Sequence, residues 1–575
     1  MPRRLCVLIC SVLTLASVTG VVVPSHKKGT DYLRDLQTAA IASGKSDVGH
    51  WGPKPDNYTA WSSHTNRLIP VYTFGTRGGG SGIDVTNYTG SHSPYRSESE
   101  LKRIYGRMPT NTLNPDAEYM DQTNIADIQR AALASGRKYI FLVIFDGMDW
   151  QTTLAAAIYN AGRVQYTEGR GSGTHFQNYT ADGTTQFAFM CTSPHNDKTD
   201  NDVDQQTVKN PGGKLPGGYN VSKGGPTPWT PGNDGPYVIA QSEFGKQNSG
   251  EHAYTDSSSA ATSMTAGIKT YNNAINVGPS GEPVATVAHD AQALGYGVGV
   301  VSSVPISHAT PACAYAHNVD RDDYQDLTRD LVGLPSVAHP ERPLPGVDVL
   351  IGGGWGVVKK EDKGQGKNFV PGNQWITDED LKRIDVNARG PFARYVMAQR
   401  TPSQRGGAVL QAAADLAAKE GHRLFGFFGV ANANGHLPFQ TADGDYQPAY
   451  GRKLTAEKYT PADIKENPTL AEMTTAALTT LSHLPQGRSK GFWIMVESGD
   501  VDWANHDNNL DNSIGAVNSG DAAVKVITDW VEKHSSWKES LLIVTADHGH
   551  YLVLDKPEML AGEGSGNAAS IDATR

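Results

Sequence analysis

A three-layer α/β/α sandwich around a mostly parallel sheet is the fold class this sequence predicts, on three observations. Apolar runs ending at polar residues recur: Tyr139–Phe145, Val298–Val301, Val347–Ile351, Leu424–Phe428, Phe492–Val496 and Leu541–Val544. Helical patterns lie between several of them, so strand, helix and strand alternate. The runs are apolar throughout rather than alternating, which is what strands covered on both faces require.

Each element has its own reason. Pro283 to Leu294 reads as a helix leading into the Val298 run, and Gly407 to Glu420, with Val409 and Leu416, as one leading into Leu424. After Phe492–Val496 comes a helix with Val524, Ile527 and Val531 on one face, then the Leu541 run. Gly295, Gly297 and Gly299 precede or lie inside their strand, so they do not form a nucleotide loop. Residues 191–250, rich in Gly, Pro, Asn and Asp, and residues 430–470 read as surface insertions without a repeat.

At 575 residues the chain can bury a large core, with an ordinary 38% apolar and 19% charged content. The net charge of −10, without a block of Lys or Arg, disfavours a nucleic-acid partner. Anionic substrates would then need local positive charge, such as metal ions. Arg3 and Arg4 precede an apolar stretch from Leu5 to about Val18, so residues 1–22 read as a signal peptide and the protein as secreted or periplasmic. The alternative is an uncleaved membrane anchor, since apolar character runs on to Val23. The sequence shows no further membrane span. Cys6 and Cys10 fall in the signal, leaving Cys191 and Cys313 as two buried thiols or one disulfide.

The chemistry-bearing residues sit where these runs end. Glu497, Asp502 and His506 stand in Val-Glu-Ser-Gly-Asp-Val-Asp-Trp-Ala-Asn-His, and Asp547 and His548 in Thr-Ala-Asp-His-Gly-His. Carboxylates and imidazoles gathered at core strand ends call for a cation among them. Asp146 ends the first strong strand; alone it reads as a turn residue. Thr255-Asp256-Ser257 opens a helix that closes at Gly267. Asp-Ser there is an N-cap or, in the functional reading, Ser257 is a nucleophile at a helix end. After the Val298 strand, Thr310 offers a hard oxygen suited to Mg²⁺ and Arg321 a planar fork for two phosphate oxygens.

Taken together, in order over residues 138–555, the Asp-Gly-Met, Thr-Asp-Ser, His-Ala-Thr-Pro-Ala…Arg, Val-Glu…Asp…His and Thr-Ala-Asp-His-x-His motifs resemble the alkaline phosphatase family. The resemblance implies a phosphomonoesterase acting on small phosphorylated substrates, with two Zn²⁺ and one Mg²⁺, and the family is often a homodimer. It implies that Ser257 becomes a phosphoserine and that Arg321 clamps the phosphate. Asp146, Asp547 and His548 would hold one Zn²⁺, with Ser257 beside it and Asp146 bridging to Mg²⁺. Thr310 and Glu497 would complete the Mg²⁺ ligands, and Asp502 and His506 would hold the other Zn²⁺. His308 and Trp503 would stand behind the ligands and tune the third metal and phosphate release, and His550 would lie outside the ligand set.

One ligand is absent from its family position. A His is expected some way after the Asp-His pair, yet the sequence ends 27 residues after His548, and His550 is its last histidine. Ser-Ser-His64-Thr-Asn-Arg-Leu-Ile-Pro-Val-Tyr resembles that late segment. The reading is a circular permutation in which residues 23–137 supply the family's usual C-terminal strand and zinc ligand, and residues 138–575 form the catalytic core. It expects Trp51 to Tyr72 beside Leu541–Val544, with His64 near Asp502 and His506. The alternatives are a surface His64 with the true ligand lost to truncation, or a ligand from a partner subunit. Two other functions stand beside the first: a phosphodiesterase or sulfatase of the same superfamily, and a non-catalytic phosphate- or metal-binding secreted protein.

Overall fold

The computed structural model describes residues 31–230 and 252–562; the signal segment and the end of the first insertion lie outside them. The central sheet has ten strands: β1 (Ile69–Phe74), β2 (Met120–Asp121), β3 (Tyr139–Phe145), β4 (Gln186–Cys191), β5 (Gly297–Pro305), β6 (Val349–Gly353), β7 (Tyr395–Gln399), β8 (Arg423–Phe427), β9 (Phe492–Ser498) and β10 (Ser540–Ala546). Their order across the sheet is β7-β8-β6-β5-β9-β3-β10-β1-β4-β2. Every pairing is parallel except those of β1, which runs against both β10 and β4. All six apolar runs are strands of this sheet.

Helices that frame the site are α1 (Asn124–Ala134), α2 (Ser257–Ala266), α3 (Val287–Ala293), α4 (Ala309–Cys313), α5 (Tyr324–Val332), α6 (Gly406–Glu420), α7 (Leu470–His483), α8 (Asp500–His506) and α9 (Leu510–His534). They cover both faces of the sheet. Trp493 on β9 turns to one face, where its indole N–H donates to Gln129 of α1 at 2.8 Å. On the other face Leu481 of α7 comes so close that a Cβ on Gly299 would lie 2.7 Å from it. The glycines of β5 therefore admit a helix rather than a nucleotide. Val524, Ile527 and Val531 are fully buried on α9, as their spacing requires.

Some expectations change in detail. The helix expected from Pro283 begins only at Val287, because Val277 bridges Pro283 in extended backbone and Thr286 then caps the helix. The segment 430–470 is irregular, as its composition implies, but it is not only surface: Leu437 and Phe439 are buried, and the Leu437 N–H donates to the Ser303 carbonyl at 3.0 Å. Scattered apolar anchors in a polar stretch leave no period to read. The described part of the first insertion forms two short two-stranded pairings, Asn196–Asp197 with Leu215–Pro216 and Asn201–Asp202 with Thr207–Val208. Cys191 and Cys313 are buried free thiols. Among the described residues no helix is long and apolar enough to cross a membrane.

Candidate active site

The parallel strands deliver their last residues to one edge of the sheet. Glu497 lies near the end of β9, Asp146 directly follows β3, and Asp547 and His548 directly follow β10. Because β1 is reversed, its amino end reaches that same edge, and the loop before it carries His64 there. The loop is held by the Thr65 N–H on the Gly549 carbonyl at 3.1 Å and by Arg67 on the Leu552 carbonyl at 3.0 Å. Asp502 and His506, four residues apart on α8, share a face. Asp256 caps α2 by accepting from the Ser259 N–H at 2.9 Å, which places Ser257 at the helix mouth. Thr310 lies on α4, beyond β5.

These residues converge. The Ser257 hydroxyl lies 3.4 Å from Asp146 Oδ1 and 3.2 Å from His548 Nε2. His548 Nε2 is 3.2 Å from Asp146 Oδ1, 3.4 Å from Asp547 Oδ2 and 4.0 Å from Asp502 Oδ1. Asp502 Oδ1 in turn meets His506 Nε2 at 3.4 Å, His64 Nε2 at 3.6 Å and His550 Nε2 at 2.8 Å. The His64 and His548 rings stack at 3.6 Å between centroids. His64 is 9% exposed, so a surface-loop histidine does not describe it.

Several of the inward-facing oxygens are buried without an ordinary hydrogen bond. Asp146 Oδ2, Thr310 Oγ1, Glu497 Oε1 and Asp547 Oδ2 are buried without a hydrogen-bond partner, an arrangement that loses the solvation of each group. His64 Nδ1 faces the Thr255 carbonyl at 2.9 Å and His506 Nδ1 the Ser62 carbonyl at 2.8 Å. Each Nδ1–H donates, leaving both Nε2 lone pairs 3.2 Å apart. Facing lone pairs need a proton or a metal ion between or beside them. The carbonyl partners are the outer support that metal-ligating histidines usually have. One donor set is His64, Asp502, His548 and His550; a second is Asp146, Asp547 and His548. The oxygens of Asp146, Thr310 and Glu497 suit a hard cation, and the mixed imidazole and carboxylate sets a softer one.

The electrostatics agree with a shortage of positive charge. Burial, then the charges of Asp547, Asp502 and Glu497, push the Asp146 carboxyl well above the usual range. Burial takes Glu497 up to about 8, although the Ser302 hydroxyl bonded to it, and the Thr310 hydroxyl nearby, pull the other way. It takes Asp547 to about 6. Burial also holds the His548 imidazole well below its ordinary value and His550 at about 3. Asp502 is the exception: burial would raise it, but His506 and the contacts from His550 and His64 hold it far down.

Around this centre stand the remaining expected residues. Arg321 Nη1 lies 3.1 Å from Asp256 Oδ2, which tethers the guanidinium beside the neighbour of Ser257. His308 and Trp503 have ring centroids 6.1 Å apart. The sequence did not single out His436, whose ring packs edge-on against Trp503 at 4.7 Å and reaches Glu457 at 2.8 Å and Asp500 at 3.5 Å. Nor did it reveal Ser302, or the carbonyls of Ser62 and Thr255, since backbone acceptors leave no residue-type signal.

The family model described as alkaline phosphatase matches residues 232–564. Alkaline phosphatase 4 of Bacillus subtilis (strain 168) is 27% identical over 302 residues, covering 52% of this chain and 50% of that protein. Alkaline phosphatase of Escherichia coli (strain K12) is 28% identical over 325 residues, covering 53% of this chain and 60% of that protein. The chain thus spans about half to three fifths of the length of these curated relatives. Among solved structures, a cold-active alkaline phosphatase from a psychrophilic Shewanella sp. is 20% identical with a TM-score of 0.41, covering 72% of this chain and 68% of that one.

Proposed function

This chain belongs to the alkaline phosphatase family, and from that premise we propose that it hydrolyses phosphate monoesters through a phosphoserine on Ser257. The observation that carries the reading is the meeting of Ser257 with Asp146, Asp547 and His548 at one sheet edge, beside Asp502, His506 and His64. The orphaned donor atoms fit two Zn²⁺ and one Mg²⁺, which when bound would neutralise the phosphate oxygens and ease ionisation of both the attacking and leaving oxygens. Asp146, Asp547 and His548 would hold one zinc, Asp502, His506 and His64 the other, and Asp146, Thr310 and Glu497 the magnesium.

The chain's own groups do the rest. Ser257 Oγ bonds to phosphorus while the ester oxygen departs, and the serine proton ends on the released alcohol. Water then breaks the Oγ–P bond, restoring the hydroxyl and giving inorganic phosphate. Arg321, steadied by Asp256, holds two equatorial oxygens through its planar fork, and the amide groups at the mouth of α2 face the same charge. His550 keeps Asp502 in place from outside the ligand set, and His308 and Trp503, packed on each other behind the ligands, would tune the third metal and phosphate release.

Support for a circular permutation comes from the reversed β1 between β10 and β4 and from the distances of His64 to Asp502 and His506. In this reading residues 23–137 do the work of the family's usual C-terminal strand and zinc ligand. The test uses full-length protein loaded with zinc and magnesium, an aryl phosphate monoester and the matching diester. Wild type is expected to cleave the monoester preferentially and to trap labelled phosphate on Ser257. Ser257→Ala is expected to lose the label and at least about 10⁴-fold in turnover. Labelling that survives in Ser257→Ala, or preference for the diester, overturns the reading.

A further inference from the structure

Between Thr310 and Arg321 the chain passes through His317, which faces away from the site just described into a second cluster. The His317 Nε2–H donates to the Val284 carbonyl at 3.0 Å, so its Nδ1 keeps the lone pair. That Nδ1 lies 2.9 Å from Nε2 of His339. Oδ2 of Asp330, on α5, lies 3.8 Å from the same His339 nitrogen. One donor atom from each of the three residues falls within 4.8 Å of the other two.

Two features make this more than proximity. The first is orientation. The Asp330 carboxylate is fixed on one oxygen by the Ser336 hydroxyl at 2.5 Å and on the other by the His317 N–H at 3.0 Å. With the Val284 carbonyl on His317, two of the three donors carry the outer hydrogen bonds that aim ligands at a metal. The second is charge. Asp330 is fully buried and His317 only 6% exposed. Among the described residues, the ion-pair partner of Asp330 is His339, with no Lys or Arg against it. A buried carboxylate without a cation is unfavourable. The His339 side chain is 19% exposed, which leaves a route from solvent to a fourth position.

We propose that His317, Asp330 and His339 bind a divalent metal ion, zinc by the chemistry of its two imidazoles and one carboxylate, at a site separate from the reaction centre. Tetrahedral zinc with nitrogens at about 2.0–2.1 Å needs an N···N separation of about 3.3 Å. The pair at 2.9 Å therefore opens by a few tenths of an ångström on binding. The ion ties the loop holding His339 to the segment that ends at Arg321, and so braces the phosphate clamp from behind. The competing account is a hydrogen bond from His339 Nε2–H to His317 Nδ1 with no ion.

The experiment takes full-length wild type, His339→Ala and Asp330→Asn, equilibrates each with zinc chloride, removes loose ions and counts zinc per chain. Crystals of the wild type are measured at the zinc absorption edge. One zinc fewer in both variants and an anomalous peak among the three side chains are expected. His339→Ala removes a partly exposed side chain, so it serves as the readout if Asp330→Asn fails to fold. Equal zinc content in wild type and His339→Ala, or no peak here while the centre at Asp502 gives one, overturns the proposal in favour of the hydrogen-bonded pair.

Discussion

Two histidine–carboxylate clusters share this chain, and they are built on opposite terms. At the first, Asp146, Asp547 and Glu497 come from the ends of three parallel strands, and each leaves an oxygen without a partner. At the second, one carboxylate, Asp330, has a hydrogen bond on both oxygens. The sheet forces the first group together, whereas local hydrogen bonds assemble the second around a loop. In the proposed reading the first would need cations to offset like charge and would bury the atoms that act on a substrate, whereas the second would spend its ligands on holding a loop. Ions at the two places should differ in what they control.

The sharpest break in that contrast is His64→Ala. If His64 closes the first cluster, the variant loses zinc and turnover together, with turnover falling about 100-fold or more. Metal analysis beside an aryl phosphate assay measures both, and full zinc content with normal turnover would return His64 to a packing role. Chelation comes next. Ions that bind only the folded chain stabilise it by linkage, so removing them should lower Tm by on the order of 5–10 °C. Asp146→Asn, with one repelling carboxylate fewer, should narrow the gap between chelated and loaded protein. Calorimetry on both forms measures this, and an equal gap in both would mean that charge crowding at Asp146 is already relieved by protein groups. His339→Ala should then lower Tm by only about 2–4 °C and change turnover on an aryl phosphate less than about threefold. A loss as large as that of His64→Ala would erase the distinction between the clusters.

How these two clusters could be read from sequence follows from the same contrast. Asp146, Glu497 and Asp547 announce themselves because a buried strand is a continuous apolar run, and a charge at its end is conspicuous. The order of the runs then fixes which edge they share. His64 was legible only through the words around it, since nothing in its local pattern says that β1 is reversed; the pairing of Ile69–Phe74 with Met190 and Leu542 neighbours decides that. Strands β4 and β7 escaped notice because, near opposite edges of the sheet, buried and half-buried residues alternate in places along them. Asp330 and His339 stood in no metal-ligand spacing with His317, and only the packing of α5 and its following loop brings them together.

The smallest expected effect lies on the rim of the first cluster, where His436 has no metal to share. Its Nδ1 faces the Leu437 carbonyl at 2.8 Å and its Nε2 the Glu457 carboxylate at 2.8 Å, so both nitrogens donate and the ring is an imidazolium. Burial opposes that charge, but Glu457 and then Asp500 outweigh it and raise the imidazole from 6.5 to about 9. A raised value in the folded protein means that protonated His436 favours folding. The contribution is complete below pH 6.5 and disappears as the pH climbs through about 9, on the order of 2 kcal/mol after allowance for the one-third exposure of Glu457. Glu457 is held below its ordinary value chiefly by that same His436 cation against the pull of burial, so its share is present above pH 4.5 and goes with the His436 proton rather than offsetting the loss. Amide exchange around residues 430–460 should therefore quicken between pH 7 and 10 beyond the intrinsic rise. In His436→Gln, which cannot titrate, that excess should vanish. An excess of equal size in both proteins would place the pH response elsewhere, and the contact of His436 with Trp503 would then be packing alone.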